Sequence, residues 1–348
     1  MAGGSWDGTS LPIQPGLYIN FVQAAAAQIR GGARGTVAIP LLTYANTATA
    51  KTFYTVETEK QAVDLFGAAN IQSILFALQG GAKEVLVYTM PDTPATKDYT
   101  DMRDAFDARP FNVFVFDGEF SAVQQAATKT WVVANRNAGK HFAVVIGGDA
   151  TTDATPTQGD TRSTLNSDDY IVNLINGVTI RGDSFTSSEF SPWVAGLIAG
   201  TAINRSITYT VAPVDDVTKR LTNTQINTSL AAGSLILVND GEKVKIVQGV
   251  TTAKSKIRSI RARQAIATDV SRTAEDNYIG KLNNNADGQA TLIVAIKAYL
   301  ENLATNGVLT APVVGLDPQR PSVGDSVFLS ISYVEVDSIE RIFITVNI

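Results

Sequence analysis

From about Gly35 the chain alternates short apolar runs with amphipathic stretches. "GTVAIPLL", "KEVLVYTM", "FNVFVFDG" and "HFAVVIGG" are continuous apolar runs of strand length. Between them lie segments with apolar residues at helical spacing. "TEKQAVDLFGAANIQSILFALQGG" places Val63, Phe66, Ile74, Leu75 and Leu78 near one face, with Gly67 dividing it. "MRDAFDARP" is a short helix stopped by Pro110, and "FSAVQQAATKTWVVANRNAGK" is a longer one closed by Gly139. Apolar strands alternating with helices predict an α/β fold whose largely parallel sheet is flanked by helices. The polar stretch 149–169 reads as a surface loop, and "YIVNLINGVTI" as a strand or short helix. "SPWVAGLIAGTAINRS" predicts a tightly packed helix, because Gly196 and Gly200 allow another backbone to come close.

Near Val211 the pattern changes to a smaller α+β region. "GSLILVND" and "EKVKIVQGV" are strands joined by the turn sequence Asn239-Asp240-Gly241. Helices are expected at about 259–278 and 290–305, and Ser326 to Val336 alternates as a long strand. The two ends alternate as well. Ile342, Ile344, Val346 and Ile348 face away from Phe343, Thr345 and Asn347, and Leu17, Ile19 and Phe21 face away from Tyr18, Asn20 and Val22. Chain ends are usually polar and frayed. Two strand-like ends, one beside the flexible-looking "QAAAAQIRGGARG", suggest donation to another subunit, although pattern alone leaves pairing within the chain open. The expected division is an arm at 1–24, an α/β domain at 25–210, a C-terminal domain at 211–337 and an arm at 338–348.

Composition narrows the chemistry. Apolar residues are 45% and charged residues 18% of 348, a globular balance, and the net charge of −5 gives the surface as a whole no attraction for nucleic acid. Without cysteine there is no disulfide, thiolate nucleophile or thiolate metal site. No apolar run reaches the roughly 18–20 residues of a membrane span. The start lacks a basic region followed by an apolar stretch, which predicts synthesis and folding in the cytoplasm.

Candidate catalytic residues are few. His141 is the one histidine and heads a strand, while Asp149 sits at the carboxyl end of that strand, where α/β folds place ligands. Neither phosphate-loop nor dinucleotide glycine pattern is matched. Asn283, Asn285, Asp287 and Gly288 loosely follow a calcium loop, but Val294 stands where its glutamate belongs. No cofactor or metal is expected. One charge feature stands apart: Lys254, Lys256, Arg258, Arg261 and Arg263 fall close together with no acid between them. Cations near a helix start oppose its dipole, so a negatively charged partner is a reasonable expectation.

"PGLYINF", "LFG…ALQGGAKEVLVY", "SPWVAGLIAG", "GSLILVNDGEKVKIVQGVTT", "NYIGKLNN" and "VDSIERIFITVNI" together resemble the contractile tail sheath proteins of myophages and R-type bacteriocins, most closely the compact Gram-positive type. The resemblance spans nearly the whole chain, without the extra domain many sheaths carry. It implies a non-enzymatic subunit of stacked hexameric rings around an inner tail tube protein, with baseplate and terminator proteins at the ends and no direct nucleic-acid or membrane role. It implies that the C-terminal domain faces the tube and that its sheet is completed by neighbours' arms. On this chain those are Leu17, Tyr18, Ile19, Asn20, Phe21 and Val22 at one end and Ile342, Phe343, Ile344, Thr345, Val346, Asn347 and Ile348 at the other. Acceptors are expected among Val244 to Val247 and Val327 to Val334, and the five cations are the expected tube contact. The rival expectations are an α/β hydrolase or nucleotide-binding enzyme, and a non-contractile ring or capsid-like protein.

Overall fold

The computed structural model describes residues 34–347, with 3–4, 17–18, 28–29 and 31–32. Its centre is a six-stranded sheet built from β1 (Thr36–Leu41), β2 (Phe53–Val56), β3 (Glu84–Thr89), β4 (Val113–Val115), β5 (Ala143–Ile146) and β6 (Ile171–Asn173), in the order β2-β3-β1-β4-β5-β6. All neighbours are parallel except β2, which runs antiparallel to β3 at the edge. The five parallel strands thus follow a doubly wound order, with helices on both faces.

Strand alternation sorts the two cores. Val37, Ile39, Leu41, Val85, Val87, Val113, Val115 and Val145 point to one face, where they meet α1 (Glu59–Phe66), α2 (Gln72–Gly80) and α6 (Ser187–Gly200). Ala38, Leu86, Tyr88, Phe114 and Val144 point to the other, against α3 (Thr96–Asp107) and α4 (Ala122–Asn137). The expected break at Gly67 is present: its φ of 80° is open to glycine, and a short 3-10 turn separates α1 from α2. The glycine pair of α6 has the expected use. A Cβ on Gly196 would stand 2.0 Å from the Ala77 carbonyl oxygen, and one on Gly200 2.0 Å from that of Gly81. The two helices therefore touch backbone to backbone.

Residues 149–169 correct the loop expectation. Asp149 caps a single turn by accepting from the Thr152 N–H at 2.9 Å, and α5 (Pro156–Leu165) follows with proline at its start. Its inner face is small and polar: Gly159 abuts Ile175, and Ser163 meets Ser234 at 2.8 Å. No apolar period marks such a helix.

After α6 come β7 (Val211–Ala212), α7 (Asn223–Ala232), β8 (Leu237–Asn239) and β9 (Val244–Ile246). Ala212, Val217, Leu235, Leu237, Val244 and Ile246 join the same core as β1 and β3. The expected boundary at 211 thus lies inside one continuous core. A third core follows, made by α8 (Ile257–Asn277), α9 (Ala286–Thr305) and a hairpin of β10 (Leu309–Leu316) with β11 (Leu329–Glu335). β10 is bulged between Thr310 and Val313, around Ala311 at φ 50° and Pro312.

Candidate assembly interface

The residues proposed for chemistry are committed to the fold. His141 Nδ1 lies 2.9 Å from the Tyr170 hydroxyl, and burial lowers its pKa. Asp149 serves as the cap described above. Asn285 caps α9 by accepting from the Gly288 N–H at 2.9 Å. At the doubly wound switch point, between the carboxyl ends of β1 and β4, Asp117 accepts the Leu42 N–H at 2.8 Å. Among the described residues no group of three or more His, Cys, Asp or Glu is placed to hold a metal ion, and no helix is long and apolar enough to cross a membrane. A cleft of about 640 Å³ opens at the opposite end of the sheet, beside Arg34, Glu84, His141, Arg261, Asp269 and Arg272.

The C-terminal arm behaves differently. Past β11 the chain runs through 338–347 without pairing to any described strand. Ile342, Ile344 and Val346 are 75%, 79% and 75% exposed, and Phe343 on the other side is 91% exposed. Neither face of this strand-patterned segment packs on its own chain. Isolated exposed apolar residues are ordinary, but a contiguous run marks an interaction site.

The hairpin presents the complementary defect. β10 and β11 pair only with each other among the described strands, so each has an unpaired edge. Leu309, Val314, Leu329 and Tyr333 pack toward α9, while Val313 and Val334 are 60% and 61% exposed. A two-stranded ribbon is marginal alone, and its open N–H and C=O groups template further strands. The other expected acceptor is corrected: β9 lies between β7 and β8 with both edges taken, so Val244 to Ile246 cannot receive an arm. The expectation for Val327 to Val334 falls on β11, which keeps a free edge. At the N-terminal end, Leu17–Tyr18 pairs in parallel with Gly3–Gly4 and with no other described strand. Ile19 to Val22 lie outside the described residues, as does Ile348.

The basic segment makes several contacts within its own chain. Lys256 stands at the N-cap position of α8 and reaches Asp337 at 2.8 Å and Glu340 at 2.7 Å. Arg258 donates to the Gly307 carbonyl at 2.8 Å. Arg261 donates to the carbonyls of Thr201 and Ala202 at the end of α6, and burial pushes its pKa down to about 10. Arg263 reaches Glu335 at 2.5 Å. Only Lys254 is left exposed without a side-chain partner among the described residues. Four of the five cations are thus engaged within the fold, Arg263 with its side chain still 51% exposed. The partners lie far away in sequence, which is why local charge did not reveal them.

The chain thus combines a helix-flanked doubly wound sheet, a hairpin with edges unpaired among the described strands and an exposed apolar C-terminal segment. The chain belongs to the phage tail sheath family. The phage tail sheath protein central domain matches residues 92–252, and the phage tail sheath C-terminal domain matches residues 250–348. The tail sheath protein of Clostridium phage phiCD119 is 29% identical over 146 residues, 38% of this chain and 40% of that protein, so the match spans well under half of the relative's length. The fold resembles the sheath tail protein of Desulfitobacterium hafniense, with a TM-score of 0.72 at 18% identity, covering 92% of this chain and all of that one. It also resembles the helical sheath of the anti-feeding prophage in its contracted state, with a TM-score of 0.74 at 15% identity over 97% of this chain and 99% of that chain. The matched central and C-terminal regions are those of a phage tail sheath protein, a structural subunit.

Proposed function

We propose that this subunit polymerises as stacked hexameric rings around an inner tube and contracts to drive the tube through a target envelope. Neighbours are joined by exchanged strands: Ile342 to Ile348 of one copy extends the β10–β11 sheet of another, and Leu17 to Val22 of a third copy completes it. The observation that carries this reading is the pairing of two defects, an exposed strand with no partner and a hairpin with open edges. Strand addition satisfies the backbone while side-chain contacts fix register.

The energetics suit a lattice that moves. Burying Ile342, Ile344, Val346 and Ile348 contributes roughly 6–12 kcal/mol gross. Association and ordering offset about 4–15 kcal/mol. One joint is marginal, and many joints between the same bodies hold through effective concentration. The α/β bodies can then shift while the strand joints stay paired. Body-to-body contacts that improve on contraction supply the driving force. Assembly takes place in the bacterial cytoplasm, with baseplate and terminator proteins at the ends, and the product is a phage virion or a released bacteriocin particle.

Deleting 342–348 is expected to leave a soluble, folded subunit that forms neither rings nor tubes by negative-stain microscopy. Tubes from the truncated chain would refute the arm assignment. Dispersed particles from the intact chain, under conditions that favour assembly, would return the enzyme reading to contention.

A further inference from the structure

Both arms leave the body from the same helix. The C-terminal exit segment carries three acids, Glu335, Asp337 and Glu340, and each meets a cation of α8 or its cap: Arg263 takes the first, Lys256 the other two. Glu340 is the innermost, its side chain 7% exposed. It also accepts from Thr208 Oγ1 and from Gln248 Nε2, each at 2.8 Å. One residue earlier Ile339 is already 85% exposed, and from Arg341 onward every described residue is exposed. The ordered attachment therefore ends at Glu340.

The N-terminal exit is seated on Asp269 of the same helix. Its carboxylate, 1% exposed, accepts the Gly32 N–H at 2.9 Å, Arg34 Nη2 at 2.5 Å and the Tyr299 hydroxyl at 2.6 Å, with Arg272 at 3.3 Å. Ile29 adds an apolar anchor against Ala262 and Ile266 of α8. Gly32 lies directly under the Arg272 guanidinium, where a Cβ would collide with it. Lys256 and Asp269 are about 20 Å apart along a straight helix at 1.5 Å per residue.

The helix between the two seats is held by the whole body. Ile257 belongs to the core of the first sheet face, Ile260 to that of the second, and Ala262 and Ile266 to the C-terminal core. Arg261 ties it to the end of α6, and Arg258 to the turn after α9.

We propose that α8 is a two-ended strut that fixes the exit points of both arms and passes load from the neighbour holding one arm to the neighbour holding the other. Lys256 and Arg263 seat the C-terminal root, Asp269 seats the N-terminal root, and the basic segment exists for this purpose. The inference rests on the arm-exchange reading above. It adds that the C-terminal joint hinges beyond Glu340, while the span between the two roots stays constant through any rearrangement of the lattice.

The absence of cysteine allows clean paired spin labelling. One label goes on Ala298→Cys, exposed on α9; the second goes on Arg341→Cys in one sample and on Gln28→Cys in another. Narrow distance distributions are expected for both pairs in the intact subunit. Glu340→Gln alone, or with Glu335→Gln and Asp337→Asn, is expected to broaden the 298–341 distribution about twofold or more by freeing a local segment, and to leave the 298–28 pair narrow. Asp269→Asn does the reverse, and far-ultraviolet circular dichroism of each variant verifies its fold. Unchanged distributions in folded variants would overturn the seats. Labelled variants are then assembled: tubes of native helical order from subunits with both roots freed would overturn the strut and leave arm exchange standing. Failure of the arm reading shows separately, as tubes from the 342–348 deletion.

Discussion

Ile344→Ala separates what the arm does for the subunit from what it does for the lattice. In the single chain Ile344 is 79% exposed and has no packed neighbour to lose. Surface substitutions of that kind change stability by no more than about 0.5 kcal/mol. In a strand joint the same side chain is buried, and trimming a buried Ile to Ala costs roughly 2–5 kcal/mol. The lower figure suits a joint at the sheet edge. At 1.4 kcal/mol per tenfold, 2 kcal/mol weakens each joint about thirtyfold. If every subunit donates one such arm, the critical concentration for polymerisation should rise by about the same factor. Sedimentation of assembled material across a concentration series measures it, and differential scanning calorimetry of the unassembled subunit measures the melting temperature. A critical concentration within about twofold of the parent, below what 1 kcal/mol produces, would refute burial of Ile344 in a joint. A fall in the subunit melting temperature would do the same, because the arm would then be packed on its own body.

Gly196→Val places a branched side chain against the Ala77 carbonyl, with backbone on both sides of the contact, and should cost at least about 1–3 kcal/mol, read as a lower calorimetric melting temperature. Burial raises the Asp153 carboxyl to about 6, against the partly compensating hydrogen bonds from the Ser187 N–H and hydroxyl. The folded chain therefore holds this proton more tightly than the unfolded one, and the resulting stability is present below about pH 4 and lost as pH rises through 6. Asp153→Asn should remove that part of the pH slope, on the order of 3 kcal/mol, seen by comparing urea midpoints of the two proteins at pH 4 and 7; parallel curves would contradict it. At Glu340 burial pushes the carboxyl up, but donors from Lys256, Thr208 and Gln248 outweigh it and hold it below its usual value. Its contribution is therefore present above the ordinary glutamate range and lost as pH falls through the lowered value. The 298–341 spin-label distribution should broaden on acidification, and a distribution unchanged by acid in the folded subunit would contradict the seat at Glu340.

The α/β body was legible wherever an element buried an apolar face. β1, β3, β4 and β5 are apolar runs because both faces of the sheet are covered, and α6 declared its close packing through Gly196 and Gly200. Elements built from small or polar residues were not legible. α5 packs through Gly159 and Ser163, and β10 contains Pro312 at a bulge, a residue that reads as a strand breaker. The segment 342–347 carries strand alternation in the sequence and stands exposed in the structure.

Charge was read differently by sequence and by fold. Lys256, Arg258, Arg261 and Arg263 form a local cluster without acids, and local reading sends them outward to a partner. Their partners are Glu335, Asp337, Glu340 and the carbonyls at the ends of α6 and α9, brought close only when α8 crosses the body. Likewise a free strand edge is a property of the sheet and not of the strand: β9 and β11 have similar patterns, yet only β11 has an edge to offer. Apolar periodicity is written residue by residue, so the chain by itself determined its layers and its exposed arm. Edges, seats and ion pairs depend on which segments meet, so tertiary structure alone decided where the C-terminal segment is held and which strand edges stay unpaired.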